Sequence, residues 1–268
     1  MLNQTISYLN QNHTLINTII NKKHHHHNNT RNSFEIIIVD DGSKDNTCEI
    51  IQQYATNHNI DIHKIKLRLI QMKVNSGKGA AIRAGMLSSQ SNYCLMVDAD
   101  GATDINDFMK LLIPMMDLTT TSIDKKGIAV IGSRAHLLKD KETNIQRSTI
   151  RTILMKSFHF FVRNLCSQNI KDTQCGFKLF NRYAMTVLFT NLHLSQWAFD
   201  IELIVLAERF CANFDIVEVG VNWKEIDGSK LEERGKIGLA LVSLGMLRDM
   251  VCVNVCYALG IWRLKNNL

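Results

Sequence analysis

From Phe34 onward the chain alternates short β-branched apolar runs with longer segments of helical period. That alternation restricts it to a layered α/β fold around a sheet containing parallel strands. FEIIIVDDGS (34–43) reads as a buried strand ending in a turn, LRLIQMK (67–73), YCLMVDAD (93–100) and IAVIGSRA (128–135) as further strands, and 45–58, 75–89 and 104–120 as helices. Each strand runs into polar residues at its C-terminal end, the edge where open α/β sheets take their ligands. Residues 1–20 repeat apolar positions at Leu2, Ile6, Leu9, Leu15, Ile16, Ile19 and Ile20 with a roughly helical period. The polar tract NKKHHHHNNTRN (21–32) reads as linker, its histidines as a surface insertion. The expected organisation is an N-terminal helix and linker over 1–33, an α/β domain over 34–233, and amphipathic helices over 234–268.

With 268 residues, 46% apolar and 21% charged, the chain can bury one sizeable core. A net charge of +6 without aromatic–basic interleaving gives no reason to expect nucleic acid. It suits a phosphorylated substrate or an anionic membrane surface instead. The seven cysteines are odd in number and form no CxxC pair. They read as reduced core residues, which favours a cytosolic or cytosol-facing location over a zinc site. The most apolar C-terminal window is broken by Arg248-Asp249, so the sequence predicts no bilayer-spanning segment.

Three acidic or glycine-rich segments carry the chemistry. Asp98-Ala99-Asp100-Gly101 ends an apolar strand with two carboxylates one residue apart, hard oxygen donors suited to Mg²⁺ or Mn²⁺ shared with a diphosphate. A turn or helix cap would use the same residues. Asp40-Asp41-Gly42-Ser43 ends an earlier strand in the same way and suits nucleoside recognition or turn formation equally. Asn75-Ser76-Gly77-Lys78-Gly79 opens a helix where backbone N–H groups and Lys78 could meet a phosphate, without P-loop spacing.

In this order and spacing, IIIVDDGSKDNT, NSGKGAAIRAG and VDADGAT resemble the inverting glycosyltransferases of family 2. GSRAH, RSTIRTILMKSFHF, IKDTQCGFKLF, WAFDIELI and VNWKEIDGSK narrow the resemblance to members that glucosylate dolichyl phosphate, across about residues 34–263. The resemblance implies a GT-A (Rossmann-like) fold: a mixed, mostly parallel sheet flanked by helices, with amphipathic C-terminal helices. It implies that Asp40 and Asp41 contact uridine, that Lys78 holds the nucleotide, and that Asp98 and Asp100 bind UDP-glucose through Mg²⁺ or Mn²⁺. Glucose would pass to dolichyl phosphate for N-glycan precursor assembly, at the cytosolic face of the endoplasmic reticulum membrane. Arg134, Arg147 and Arg151 are the candidate cations for the acceptor phosphate. Asp172, Gln174 and Lys178 are expected to line the sugar pocket or acceptor path, with Asp200 near the acceptor. A membrane interface would follow from the polyisoprenoid, through amphipathic segments at 147–166 and 236–263.

Members of the family normally start with a membrane helix and a strand ending in a Pro-x-Tyr-Asn-Glu-like segment. The single proline here is Pro114, so that motif is missing from the sequence. The expectation is an N-terminally truncated form whose sheet lacks a central strand. The alternatives are transfer of mannose from GDP-mannose to the same lipid, or an inactive nucleotide-binding chain.

Overall fold

The computed structural model describes residues 1–24, 34–57, 64–121, 126–137, 166–211, 213–224 and 235–265. β1 (Phe34–Asp40) and β2 (Ile65–Gln71) pair in parallel, from Phe34 opposite Ile65 to Asp40 opposite Gln71. A second sheet has the order β3-β5-β4-β6, built from β3 (Tyr93–Val97), β4 (Gly127–Ser133), β5 (Phe177–Asn181) and β6 (Phe214–Gly220). β4 and β6 are parallel, while β5 runs against both β3 and β4. The sheet architecture is therefore mixed. All four strands read from the sequence are present; β5 and β6 are additional.

The helices are α1 (Leu2–His24), α2 (Thr47–Asn57), α3 (Lys78–Ser88), α4 (Phe108–Thr121), α5 (Arg182–Thr190), α6 (Phe199–Val205, continued by a π turn to Phe210) and α7 (Gly235–Ala258). Local chemistry sets their starts. Asp45 accepts the Thr47 amide at 3.1 Å before α2, and Asn181 accepts the Ala184 amide at 2.9 Å as the N-cap of α5.

β5 shows why two cores form. Successive side chains on a strand point to opposite faces. Phe177 and Leu179 join α1 and α4 in a cluster with Ile16, Leu111, Leu112 and Met115. Phe180 packs on the other face with Phe189, Phe199, Met250 and Val253 from α5, α6 and α7. The N-terminal helix is thus part of the main core, not an appendage to a linker. β4 is buried along its whole length, between neighbours on both sides. β1, although composed of Ile36, Ile37, Ile38 and Val39, is only half-buried there. Among the described residues β1 pairs only with β2, and β3 only with β5, so the sheet is interrupted between β1 and β3.

One expectation is revised by α7. Leu241–Ala258 is 18 residues long with mean hydropathy 1.4, enough by length and composition to cross a membrane. Arg248 and Asp249 interrupt it less than their charges suggest, because they pair with each other at 2.6 Å. Met250, Val253 and Tyr257 face the protein, whereas Leu241, Leu244, Val251 and Val255 face outward. The amphipathic segment expected at 147–166 lies outside the described residues, except for Cys166.

Burial of α1 can be tested directly. Ile16→Ala empties a fully buried position and should lower stability by about 2–4 kcal/mol, whereas Leu15→Ala on the exposed face should stay within about 0.5 kcal/mol. Urea unfolding midpoints of the two variants measure the difference.

Candidate active site

Asp98 stands immediately beyond β3. Its amide donates to Gly176 O at 3.0 Å, extending the β3–β5 ladder and fixing the carboxylate at the sheet edge. The carboxylate lies against Gly176 so closely that a Cβ there would come within 2.1 Å of Asp98 Oδ2. Lys78, the first residue of α3, places Nζ 2.8 Å from both Asp98 oxygens. Asp100 lies in the following turn, exposed, with Oδ1 accepting the Ala102 amide at 2.9 Å. That turn is held from the far side by Lys224 N donating to Ala102 O and Asp104 N donating to Asn222 O.

Asp98 and Asp100 thus offer hard oxygen donors at an accessible edge. No cluster of three or more His, Cys, Asp or Glu side chains assembles among the described residues. The pair fits a cation that completes its shell with phosphate and water oxygens, as Mg²⁺ does.

The glycine-rich turn departs from its expected role. The amides of Ser76 and Gly77 donate to Asp41 at 2.7 and 2.8 Å, and the Ala80 amide donates to Ser195 O at 3.1 Å. These three N–H groups are engaged inside the protein instead of facing a phosphate, which leaves the helix start at Lys78 and Gly79. Asp41 ties the turn after β1 to the start of α3. Asp40 is buried, and hydrogen bonds from Ser43 hold its carboxyl below the usual carboxylate range against the opposing effect of burial. Gly77, at φ 101°, could carry no side chain: a Cβ would stand 2.5 Å from Ser195 O.

The segment that packs there, residues 192–198, overlaps the WAFDIELI motif only at Trp197 and Ala198, and the sequence reading gave residues 192–196 no role. Leu194 O and Ser195 O crowd Gly79 and Gly77, Gln196 Nε2 donates to Ser76 O at 3.5 Å, and the Trp197 ring centre lies 5.5 Å from Lys78 Nζ. The one sequence signal was the closely spaced glycines around Lys78, which leave room for another backbone to approach.

Arg134, just after β4, makes a two-pronged pair with Asp172, from Nε at 2.8 Å and Nη2 at 2.9 Å, while Trp223 lies 5.3 Å from Cζ. Burial alone would raise the Asp172 pKa, but the Arg134 bonds and charge outweigh it and the net shift is downward.

Three expectations are corrected here, those for Lys178 and Asp172 as pocket-lining residues and for Asp200 near the acceptor. Lys178 is buried, bonding to Asp200 at 2.6 Å and Cys175 O at 2.5 Å, because its strand position faces α6 and not the open edge. Asp200 is buried in the same pair; desolvation raises its pKa despite the Lys178 ammonium. Both support the site from beneath, and so does the buried Asp172. Gln174 reaches toward Met246 of α7, with Nε2 3.7 Å from the sulfur. Arg147 and Arg151 lie outside the described residues.

Carboxylates and cations gather at the C-terminal edge of a mixed α/β sheet, around a lysine-bearing helix start, the edge where such sheets take their ligands. The chain belongs to glycosyltransferase family 2, whose description matches residues 6–189, from within α1 to the end of α5. It is 44% identical over 235 residues to a dolichyl-phosphate β-glucosyltransferase of Dictyostelium discoideum, covering 87% of this chain and 66% of that protein. The human protein of the same name is 44% identical over 87% of this chain and 67% of its own length. One from Trichomonas vaginalis is 37% identical over 99% of this chain and 71% of its own length. The chain spans about two thirds of the length of these relatives.

Two outcomes follow from the geometry. Gly176→Ala should push Asp98 away from Lys78 and weaken nucleotide-sugar binding about tenfold or more, with a smaller effect on stability; calorimetric titration against thermal unfolding separates the two. For Asp172, a folded pKa below the unfolded value of about 3.9 means that the unfolded state takes up its proton first. Its contribution is complete above about pH 5 and fades as pH falls through the lowered folded value. The stability difference between the wild type and Asp172→Asn should therefore shrink as unfolding is measured from pH 6 down to 3.

Proposed function

We propose that the chain transfers glucose from UDP-glucose to dolichyl phosphate with inversion at C1. The observation that carries this reading is the Lys78–Asp98 pair at the sheet edge in a chain 44% identical to proteins named dolichyl-phosphate β-glucosyltransferase. A phosphate monoester, with its second pKa near 6, is largely a dianion at pH 7, so the acceptor needs no strong base. One of its oxygens attacks C1 from the face opposite the nucleotide. The bond from C1 to the diphosphate oxygen breaks, and its electron pair leaves with UDP.

The residues then manage charge. Mg²⁺ or Mn²⁺, held by Asp98 and Asp100, would supply positive charge to the diphosphate. Lys78 adds an ammonium beside it. Arg134, oriented by Asp172 and Trp223, is the described arginine suited to the acceptor phosphate. Asp41 keeps the nucleotide side of the site in shape by holding Ser76 and Gly77. Lys178 and Asp200 steady β5 against α6. The outward apolar face of α7 supports a membrane location, at the cytosolic side of the endoplasmic reticulum where the lipid acceptor would be met.

Microsomes expressing the chain, supplied with dolichyl phosphate, a divalent cation and radiolabelled UDP-glucose or GDP-mannose, test the reading. Glucosyl transfer abolished by chelation and lowered about a hundredfold or more by Asp100→Ala is the expected result. Mannosyl transfer alone, or glucosyl transfer untouched by that substitution, refutes it. In the same membranes, Leu244→Lys with Val251→Lys should shift the protein toward the carbonate-extractable fraction.

A further inference from the structure

We propose that Trp197 is the stacking platform for the transferred hexose, a subsite that deepens and rests on the donor reading above. Trp197 is large and apolar, yet 39% exposed. It belongs to neither of the two main core clusters. An exposed indole in a loosely held loop would be unremarkable, but this loop is held from several sides. Glu202 accepts the amides of His193 and Leu194, Ser195 O receives the Ala80 amide, and Gly77 and Gly79 leave no room for the backbone to shift toward α3. The ring is thus presented at a fixed position, with its ordering cost met before any ligand arrives.

Its neighbours select the ligand. The ring centre is 5.5 Å from Lys78 Nζ, whose ammonium is 2.8 Å from Asp98, so Trp197 adjoins the end of the site assigned to the diphosphate. The group attached at that end of a nucleotide sugar is the hexose. A pyranose has an apolar C–H face that packs on an aromatic ring and hydroxyls that remain free for polar partners. The Lys78 ammonium beside the indole argues against an alkyl ligand such as a lipid tail.

Calorimetric titration of the full chain with UDP-glucose and, separately, with UDP, both with Mg²⁺, isolates the hexose contribution. The wild type should bind UDP-glucose more tightly than UDP. Trp197→Ala should weaken UDP-glucose about tenfold and leave UDP unchanged, and Trp197→Phe should recover most of the loss. The subsite is overturned by equal losses for both ligands, by no loss, or by a wild type that gains nothing from the glucose. A wild type that binds neither ligand defeats the donor reading, and the subsite with it.

Discussion

Glu202 has no exposed surface, and a buried carboxylate is tolerated only where the protein supplies its hydrogen bonds. It accepts the His193 amide at 3.0 Å and the Leu194 amide at 2.7 Å, receives the Tyr257 hydroxyl at 3.1 Å, and meets His193 Nδ1 at 3.0 Å. These partners come from different parts of the chain: the segment before α6, and α7. One side chain therefore joins the C-terminal helix to the body and fixes the segment that covers the start of α3. Lys78, at the start of α3, sits beside that segment, while Asp98 is fixed separately by its amide bond to Gly176 O. Trp262 stacks on the His193 ring at 4.2 Å and closes the same junction beyond the end of α7.

The legible parts of the fold were those with strong local periodicity. FEIIIVD, YCLMV and IAVIGS combine β-branched runs with polar ends, and each forms a strand close to where the pattern puts it. β5 escaped notice because Lys178 interrupts a short apolar run, and a lysine at an interior strand position is tolerated only because Asp200 and Cys175 O receive its ammonium. No local pattern announces that long-range pair. In α7, Arg248 and Asp249 pair with each other within a stretch apolar enough by length and composition to cross a membrane, a neighbour relation that a count of charges does not show.

The site was legible as a set of residue types but not as a set of roles. Asp98, Asp100 and Lys78 do come to one edge, since strand ends and the helix start after a glycine turn are read directly from sequence. Which carboxylate supports and which one faces a ligand depends on distances between segments far apart in the chain. Asp41 contacts residues thirty-five and thirty-six positions away, and Asp172 meets Arg134 at a separation of thirty-eight. Acidic residues that looked equivalent in a motif therefore divide into loop holders, buried partners and accessible donors.

That division also settles the electrostatics of the edge. Asp98, Asp172 and Asp200 are each matched by a cation, namely Lys78, Arg134 and Lys178. Asp100 forms no ion pair among the described residues and bonds only to the Ala102 amide. The three matched cations are each already paired, and Asp100 would add repulsion to any phosphate brought beside it. A divalent cation between Asp100 and the diphosphate turns that repulsion into coordination, while Lys78 can move part of its charge from Asp98 to the phosphates without losing a partner. The exposed carboxylate would make little sense beside an anionic substrate alone, and that mismatch is the physical reason for placing the proposed ion at this turn.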